Sequence, residues 1–195
     1  MKRPIQILDL GCGPGNSTKV LKDKFPNSHI IGADNSEDML KKAVELYPYI
    51  EFIKLDANGD LNEISDKFDI VFSNACIQWL PNHRELLPKM MTLLKPNGIL
   101  AIQIPKQQEH PVHIIINELA KTEKWSSKII SRQYNNLKTD EYFDVLSDIS
   151  NSFEIWETTY CHRMPSYESI IEWYNIFIFI KAMCIIRFDQ FITIW

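Results

Sequence analysis

Ile5-Gln6-Ile7-Leu8-Asp9-Leu10-Gly11-Cys12-Gly13-Pro14-Gly15-Asn16-Ser17-Thr18 is the stretch that decides the fold of this chain. Ile5 to Leu10 is a short apolar run closed by a turn, the pattern of a buried strand. Gly11 to Gly15 then reverses the chain into a helix that Asn16 or Ser17 can cap, that runs to Phe25 and that Pro26 ends. Glycines at alternate positions let the backbone turn tightly and bring bare N–H groups against a ligand, and the helix start offers the positive end of a dipole. The spacing is Gly-x-Gly-x-Gly, not the Gly-x-Gly-x-x-Gly expected where a strand-turn-helix unit holds a pyrophosphate.

Outward from this unit the alternation repeats. His29 to Ala33 reads as a second strand, and Ser36 caps a helix through Tyr47 that Pro48 stops. Glu51 to Leu55 reads as a third strand and Phe68 to Ser73 as a fourth. Asn82 to Leu94 carries Leu86, Leu87, Met90, Met91 and Leu94 at helical spacing, and Lys95-Pro96-Asn97-Gly98 turns into a fifth strand, Ile99 to Ile104. Five βα units in sequence predict an α/β fold, a Rossmann-like parallel sheet with helices on both faces. An insertion follows at about 106–150, with a helix at Val112 to Lys121 and a polar, helix-compatible stretch from Ser126 to Leu146. Phe153 to Tyr160 reads as a sixth strand and Tyr167 to Tyr174 as a helix. The expected organisation is one domain over 1–174 and an atypical apolar tail over 175–195.

Composition narrows the partners. Of 195 residues, 45% are apolar and 24% charged, enough for one core but short for two. A net charge of -4 gives no broad cationic surface, so neither nucleic acid nor an anionic membrane is expected, and a small-molecule or protein substrate is favoured. Cys12, Cys76, Cys161 and Cys184 show no metal-binding spacing and no disulfide framework, which predicts reduced cytoplasmic thiols and no metal. The Ile/Phe-rich stretch from Ile170 to Trp195 is broken by Glu172, Lys181, Arg187 and Asp189, and its longest uncharged run, Trp173 to Ile180, falls short of the roughly 20 residues of a spanning helix.

The strand ends carry acids. Asp34, at the end of the second strand, can accept hydrogen bonds from both hydroxyls of a ribose, and Asp56, at the end of the third, can take an adenine amino group. Met39 and Ala57 can supply apolar faces to the ring. Taken singly these are ordinary turn and core residues; together, at successive strand ends of one open sheet, they fit one nucleoside site.

With these residues on the page, the loop Asp9 to Gly15 together with Asp34, Asp56 and Asn74 resembles the class I S-adenosylmethionine-dependent methyltransferases. The resemblance implies S-adenosylmethionine as cofactor, held by Asp9, Gly11, Cys12, Gly13, Gly15, Asp34, Asn35, Met39, Asp56, Ala57 and Asn74. A narrower resemblance is to the trans-aconitate methyltransferases, which methylate a carboxylate. It rests on Leu8 to Thr18, on Ser73-Asn74-Ala75-Cys76-Ile77-Gln78-Trp79-Leu80-Pro81-Asn82-His83 and on Tyr160-Cys161-His162-Arg163-Met164-Pro165.

A carboxylate is already nucleophilic near neutrality and a sulfonium already holds a good leaving group, so alignment and charge management are what such a reaction needs. The candidates are Gln78 and Trp79, with His83, in the loop after the fourth strand, and His162 and Arg163 after the sixth; Arg163 can grip a carboxylate bidentately. Against these stand plainer readings: an aromatic core or lid residue for Trp79, solvated loop histidines for His83 and His162, an ordinary surface cation for Arg163. The family also implies a segment before the first strand that covers the cofactor and a seventh, antiparallel strand beside the fifth. Here the lid is expected to be absent and the seventh strand missing or replaced. An unpaired sheet edge that favours self-association is then expected, and the alternative to an active enzyme is a shortened relative that keeps cofactor binding or serves as an interaction module. An NAD-dependent oxidoreductase is disfavoured by the glycine spacing.

Overall fold

In the computed structural model, which describes residues 5–106, 111–126, 135–159, 163–166 and 168–169, the short apolar runs that alternate with helical patterns become a five-stranded sheet. Strands β1 (Gln6–Leu10), β2 (His29–Asp34), β3 (Glu51–Lys54), β4 (Phe68–Asn74) and β5 (Leu94–Gln103) lie in the order β3-β2-β1-β4-β5, every pair parallel. Ile7 sits opposite Ile30 and Ile70, and Leu8 opposite Ile31 and Val71, so neighbouring residues of each strand feed opposite faces.

One face buries Ile7, Ile30 and Phe72 against Leu21 of α1 (Asn16–Lys24). Tyr47, which caps the C-terminus of α2 (Glu37–Leu46), donates its hydroxyl to Asn16 Oδ1 at 3.2 Å, which places α2 beside α1. The other face buries Leu8, Leu10, Ile31, Ala33, Val71 and Leu100 against Leu86, Leu87 and Met90 of α3 (His83–Thr92). Val145 and Leu146 of α5 (Thr139–Ile149) join that same core. Both faces of a parallel sheet must be covered in this way, and each buried aliphatic side chain contributes about 1.5–3 kcal/mol. A further helix, α4, spans Pro111–Ala120.

The sheet runs outward in two directions from β1 and β4. Ligands of open α/β sheets bind outside the carboxyl ends of the strands at such a reversal, so the loops after β1 and β4 frame the candidate site.

Four sequence expectations change. Lys95 to Gly98 do not separate a helix from a later strand: β5 already begins at Leu94, and the register jumps from Phe68 opposite Leu94 to Ile70 opposite Ile99. Asn97 at φ 62° absorbs the extra residues as an irregularity within the strand. The N-cap of α1 is Gly15, not Asn16 or Ser17, because the Ser17 hydroxyl is used elsewhere. Within the described part of the polar stretch Ser126 to Leu146 the helix begins at Thr139 and passes Leu146 to Ile149. Phe153 to Tyr160 is not a strand over its described part, 153–159. Phe153 and Ile155 pack against the core while Glu154 points outward, so the alternation records an extended segment laid over the core without a ladder. The tail, 175–195, and Tyr167 to Tyr174 lie outside the described residues, save for Ser169 and its helical neighbour Glu168. Among the described residues no helix is long and apolar enough to cross a membrane, and no cluster of His, Cys, Asp and Glu could hold a metal ion.

Candidate functional site

β1 leads straight into the glycine loop, and the loop is stitched to β2: the N–H groups of Gly11 and Cys12 both donate to Ala33 O, at 2.7 and 3.0 Å. Gly11, Gly13 and Gly15 all take positive φ, at 76°, 54° and 86°, a region that costs other residues about 1–2 kcal/mol each. At Gly11 a side chain would also have no room. A Cβ there would lie 2.1 Å from Cys76 Sγ, so the loop after β4 is packed directly on the loop after β1. The turn delivers α1 with Gly15 as its N-cap, no side-chain cap and no acid in its first turn, which suits an incoming anionic group.

Asp9 is fully buried. Its Oδ2 accepts the hydroxyls of Ser17 and Thr18, both at 2.6 Å, while Oδ1 is buried with no hydrogen-bond partner among the described residues. Burial pushes the carboxyl up to about 6, the two hydroxyl donors pull it down, and the nearby Asp34 charge raises it. Asp34 is only half-buried and is oriented from both sides: Oδ2 accepts the Gly13 N–H and Oδ1 the Ser36 N–H, each at 2.9 Å. The acid at the end of β2 is thereby fixed against the glycine loop, with a second lone pair on each oxygen still available.

Asp56 is exposed, and its Oδ1 accepts the Asn58 N–H at 2.9 Å in a local turn. Met39 and Ala57 are buried, Asn35 is exposed, and Asn74, the last residue of β4, is half-buried. Cys12 is buried, and burial followed by the Asp9 and Asp34 charges pushes its thiol far up; the same causes, with burial again foremost and Asp34 next, push Cys76 up to about 12. Neither thiol is an activated nucleophile.

After β4 the chain turns sharply. Ala75 sits at φ 51°, its N–H donating to Gln103 O and its carbonyl accepting Gln78 Nε2, both at 2.8 Å. Gln78 is therefore a buried brace of the loop, 3% exposed, with its Oε1 buried and unpartnered. Trp79 stands on the outside of the same short turn, 48% exposed. His83 is not a solvated loop residue: at 1% exposure it lies between Ile77 O and the Tyr142 hydroxyl. Arg163 is exposed, and His162 lies outside the described residues.

A family model for a methyltransferase domain matches residues 2–175 of this sequence. The chain belongs to the class I S-adenosylmethionine-dependent methyltransferases. The trans-aconitate 2-methyltransferases of Escherichia coli O157:H7 and of Shigella flexneri are each 39% identical to it over 168 residues. That span is 86% of this chain and 64% of each relative, so the chain spans less than two thirds of the length of these curated relatives. Among solved structures, the plantazolicin methyltransferase BamL, in complex with a triazolic desmethylPZN analog and SAH, matches at TM-score 0.57 and 21% identity over 76% of this chain and 55% of that one. Haemonchus contortus phosphoethanolamine N-methyltransferase 2, in complex with S-adenosyl-L-methionine, matches at TM-score 0.56 and 22% identity over 76% of this chain and 33% of that one. These two likenesses are of fold. The cofactor of the family is S-adenosylmethionine.

Several residues that shape this candidate site escape a reading of the sequence. Ser17 reads as a helix cap, yet with Thr18 it holds Asp9; the spacing of eight and nine from Asp9, which puts both hydroxyls in the first turn of α1 past the glycines, is the signal in the sequence. Cys76, which fills the notch at Gly11, and Tyr142, which meets His83, carry no local signal.

Proposed function

We propose that this chain binds S-adenosylmethionine across the carboxyl ends of β1, β2 and β3 and transfers its methyl group to a carboxylate of a small acid such as trans-aconitate. The observation that carries the reading is the coupling of the glycine loop to Asp34, whose two oxygens hold the Gly13 and Ser36 N–H groups. A carboxylate so oriented presents its remaining lone pairs to a ribose diol, and the uncapped start of α1 receives the methionine carboxylate. The buried, unpartnered Asp9 Oδ1 fits a ligand that brings an ammonium group. Asp56, Ala57, Met39, Asn35 and Asn74 complete the pocket, with Gly11, Gly13, Gly15 and Cys12 forming its floor. Pyrophosphate ligands fit less well, because the alternate-glycine turn differs from the dinucleotide spacing.

When bound, S-adenosylmethionine supplies an electrophilic methyl group on a sulfonium. The chain's own residues have to orient the acceptor and balance its charge; an ionised carboxylate needs no general base. Trp79, with Gln78 behind it, forms the wall on the acceptor side, and Arg163 and His162 supply cationic and donor groups for a polyacid. The 39% identity to trans-aconitate 2-methyltransferases over 168 residues supports the acceptor class.

Calorimetry with S-adenosylmethionine and with NAD, followed by transfer of a labelled methyl group to trans-aconitate, tests the proposal. Binding of the first ligand alone and a labelled ester are expected. Asp34→Ala should weaken cofactor binding by about 10- to 100-fold, the range for charge-assisted hydrogen bonds. Binding without labelled ester would refute the transfer, and no binding would refute the whole reading.

A further inference from the structure

We propose that His83 and Tyr142 are positioning residues of the methyl-transfer reaction: they clamp helix α5 to the loop after β4 and so hold Gln78 and Trp79 at the acceptor side of the site. The proposal rests on the methyltransferase reading above.

The geometry begins at Ile77. Its carbonyl can only accept, and His83 Nε2 lies 2.7 Å from it, so Nε2 carries the ring hydrogen. Nδ1 of the neutral ring is then an acceptor, and the Tyr142 hydroxyl donates to it at 2.5 Å. Burial holds the ring below the ordinary histidine range, in keeping with the neutral form. The same Ile77 carbonyl accepts the Leu80 N–H at 2.8 Å, and the Trp79 N–H closes on Cys76 O at 3.0 Å. One buried imidazole thus fixes a turn whose other supports are the left-handed Ala75 and the Gln78 brace.

Tyr142 belongs to α5, in the segment that the sequence presents as a polar, helix-compatible stretch of the insertion. The clamp is doubled outside the core, where Arg84 Nη2 meets Glu141 Oε1 at 2.9 Å and Glu141 Oε2 accepts the Lys138 N–H at 3.0 Å. It is extended along the chain, where the Asn135 N–H reaches Gln78 O at 3.3 Å. The exposed ion pair contributes little by itself. The buried contact is the one a single hydroxyl deletion can probe, because Tyr142→Phe keeps the ring while removing the donor. Among the described residues the hydrogen bonds of the clamp end on the loop after β4 and on α5, and its route to the loop after β1, where the proposal places the cofactor, is the packing of Cys76 on Gly11. Acceptor alignment and cofactor affinity should therefore separate.

The test compares the full chain with Tyr142→Phe and His83→Ala by three measurements: S-adenosylmethionine calorimetry, hydrogen exchange of the Gln78, Trp79, Leu80 and Asn135 amides, and methyl transfer with the acid varied. For Tyr142→Phe we expect cofactor affinity within about twofold of the parent, amide exchange faster by about three- to tenfold, and an acceptor KM raised by a similar factor. His83→Ala should exceed both effects; should it fail to fold, Tyr142→Phe decides alone. Unchanged exchange overturns the clamp. Faster exchange with an unchanged acceptor KM overturns the positioning role and leaves an ordinary structural contact. A parent chain that binds no S-adenosylmethionine sinks the methyltransferase reading itself, and with it this proposal, before any variant is made.

Discussion

Replacing Gly11 by alanine sets two costs that a double-mutant cycle can separate. The first is conformational: φ at this position is 76°, and a β-carbon there costs about 1–2 kcal/mol. The second is steric. The new Cβ would stand 2.1 Å from Cys76 Sγ and 2.3 Å from Cys76 Cβ, whereas carbon atoms pack best at about 3.5–4.0 Å. Both atoms belong to one half-buried residue on a turn already held at Ala75 and Gln78, so the overlap is relieved only by moving that turn. Forced overpacking of this kind costs about 1–3 kcal/mol, giving about 2–5 kcal/mol for Gly11→Ala as a whole. Cys76→Gly removes both clashing atoms, and the next neighbour, Cys76 Cα, lies at 3.7 Å, an ordinary contact. The double variant should therefore recover the steric part and retain the conformational part. Urea unfolding of the four proteins should give a coupling of about 1–3 kcal/mol in the stabilising direction. A coupling within about 0.5 kcal/mol of zero would refute the claim that the loops after β1 and β4 are packed on each other through this notch.

Two further outcomes follow from the acids and the cation. Asp9 is held up to about 6 in the folded chain against an ordinary 3.8, so the folded state binds more protons than the unfolded one between these values. The Asp9 contribution to stability should be fully present below about pH 4, fall by about 3 kcal/mol through pH 6 and flatten above it, and the difference in stability between wild type and Asp9→Asn in denaturant titrations at stepped pH should follow that course; a difference that does not vary with pH would show that Asp9 does not carry it. Arg163→Ala should raise the acceptor KM by about tenfold while Arg163→Lys recovers part of it, since a lysine keeps charge but not the fork; equal KM values in steady-state assays would remove Arg163 from the acceptor site.

What the sequence makes legible here is whatever depends on local spacing. The alternate glycines, the strand-end acid Asp34 and the apolar periods of β1 to β4 and α3 are all set by neighbours within a few positions, and each appears where its pattern puts it, whereas Asp56 lies in a turn beyond β3, which stops at Lys54. The rest depends on contacts distant in sequence. Lys95 to Gly98 has the composition of a turn, and only the pairing of Phe68 with Leu94 reveals a strand that absorbs it. Phe153 and Ile155 alternate like a strand because one side of an extended segment is buried, and sidedness alone does not supply a ladder. His83 sits in what reads as a loop, yet a tyrosine 59 residues away completes its burial.

The two acids nearest the glycine loop show how environment divides one residue type into two roles. Asp9 lies on the inner face of β1, and its only donors are the hydroxyls of the helix it precedes. It costs stability when ionised, and the hydroxyls offset only part of that cost. Its effect is to pin the first turn of α1 against the strand, which fixes where the loop amides point. Asp34 lies where the sheet opens, takes its donors from the backbone at both sides, and keeps acceptor capacity toward solvent. Exchanging the environments would undo both: a buried acid at β2 could not meet a sugar, and an exposed one at β1 could not hold the helix. The order of the strands enforces the difference, because β1 is flanked by β2 and β4 whereas the end of β2 stands beside the short β3, which stops at Lys54. A ribose is therefore expected to meet Asp34, while Asp9 positions the loop through Oδ2 and leaves Oδ1 to the ligand's ammonium group.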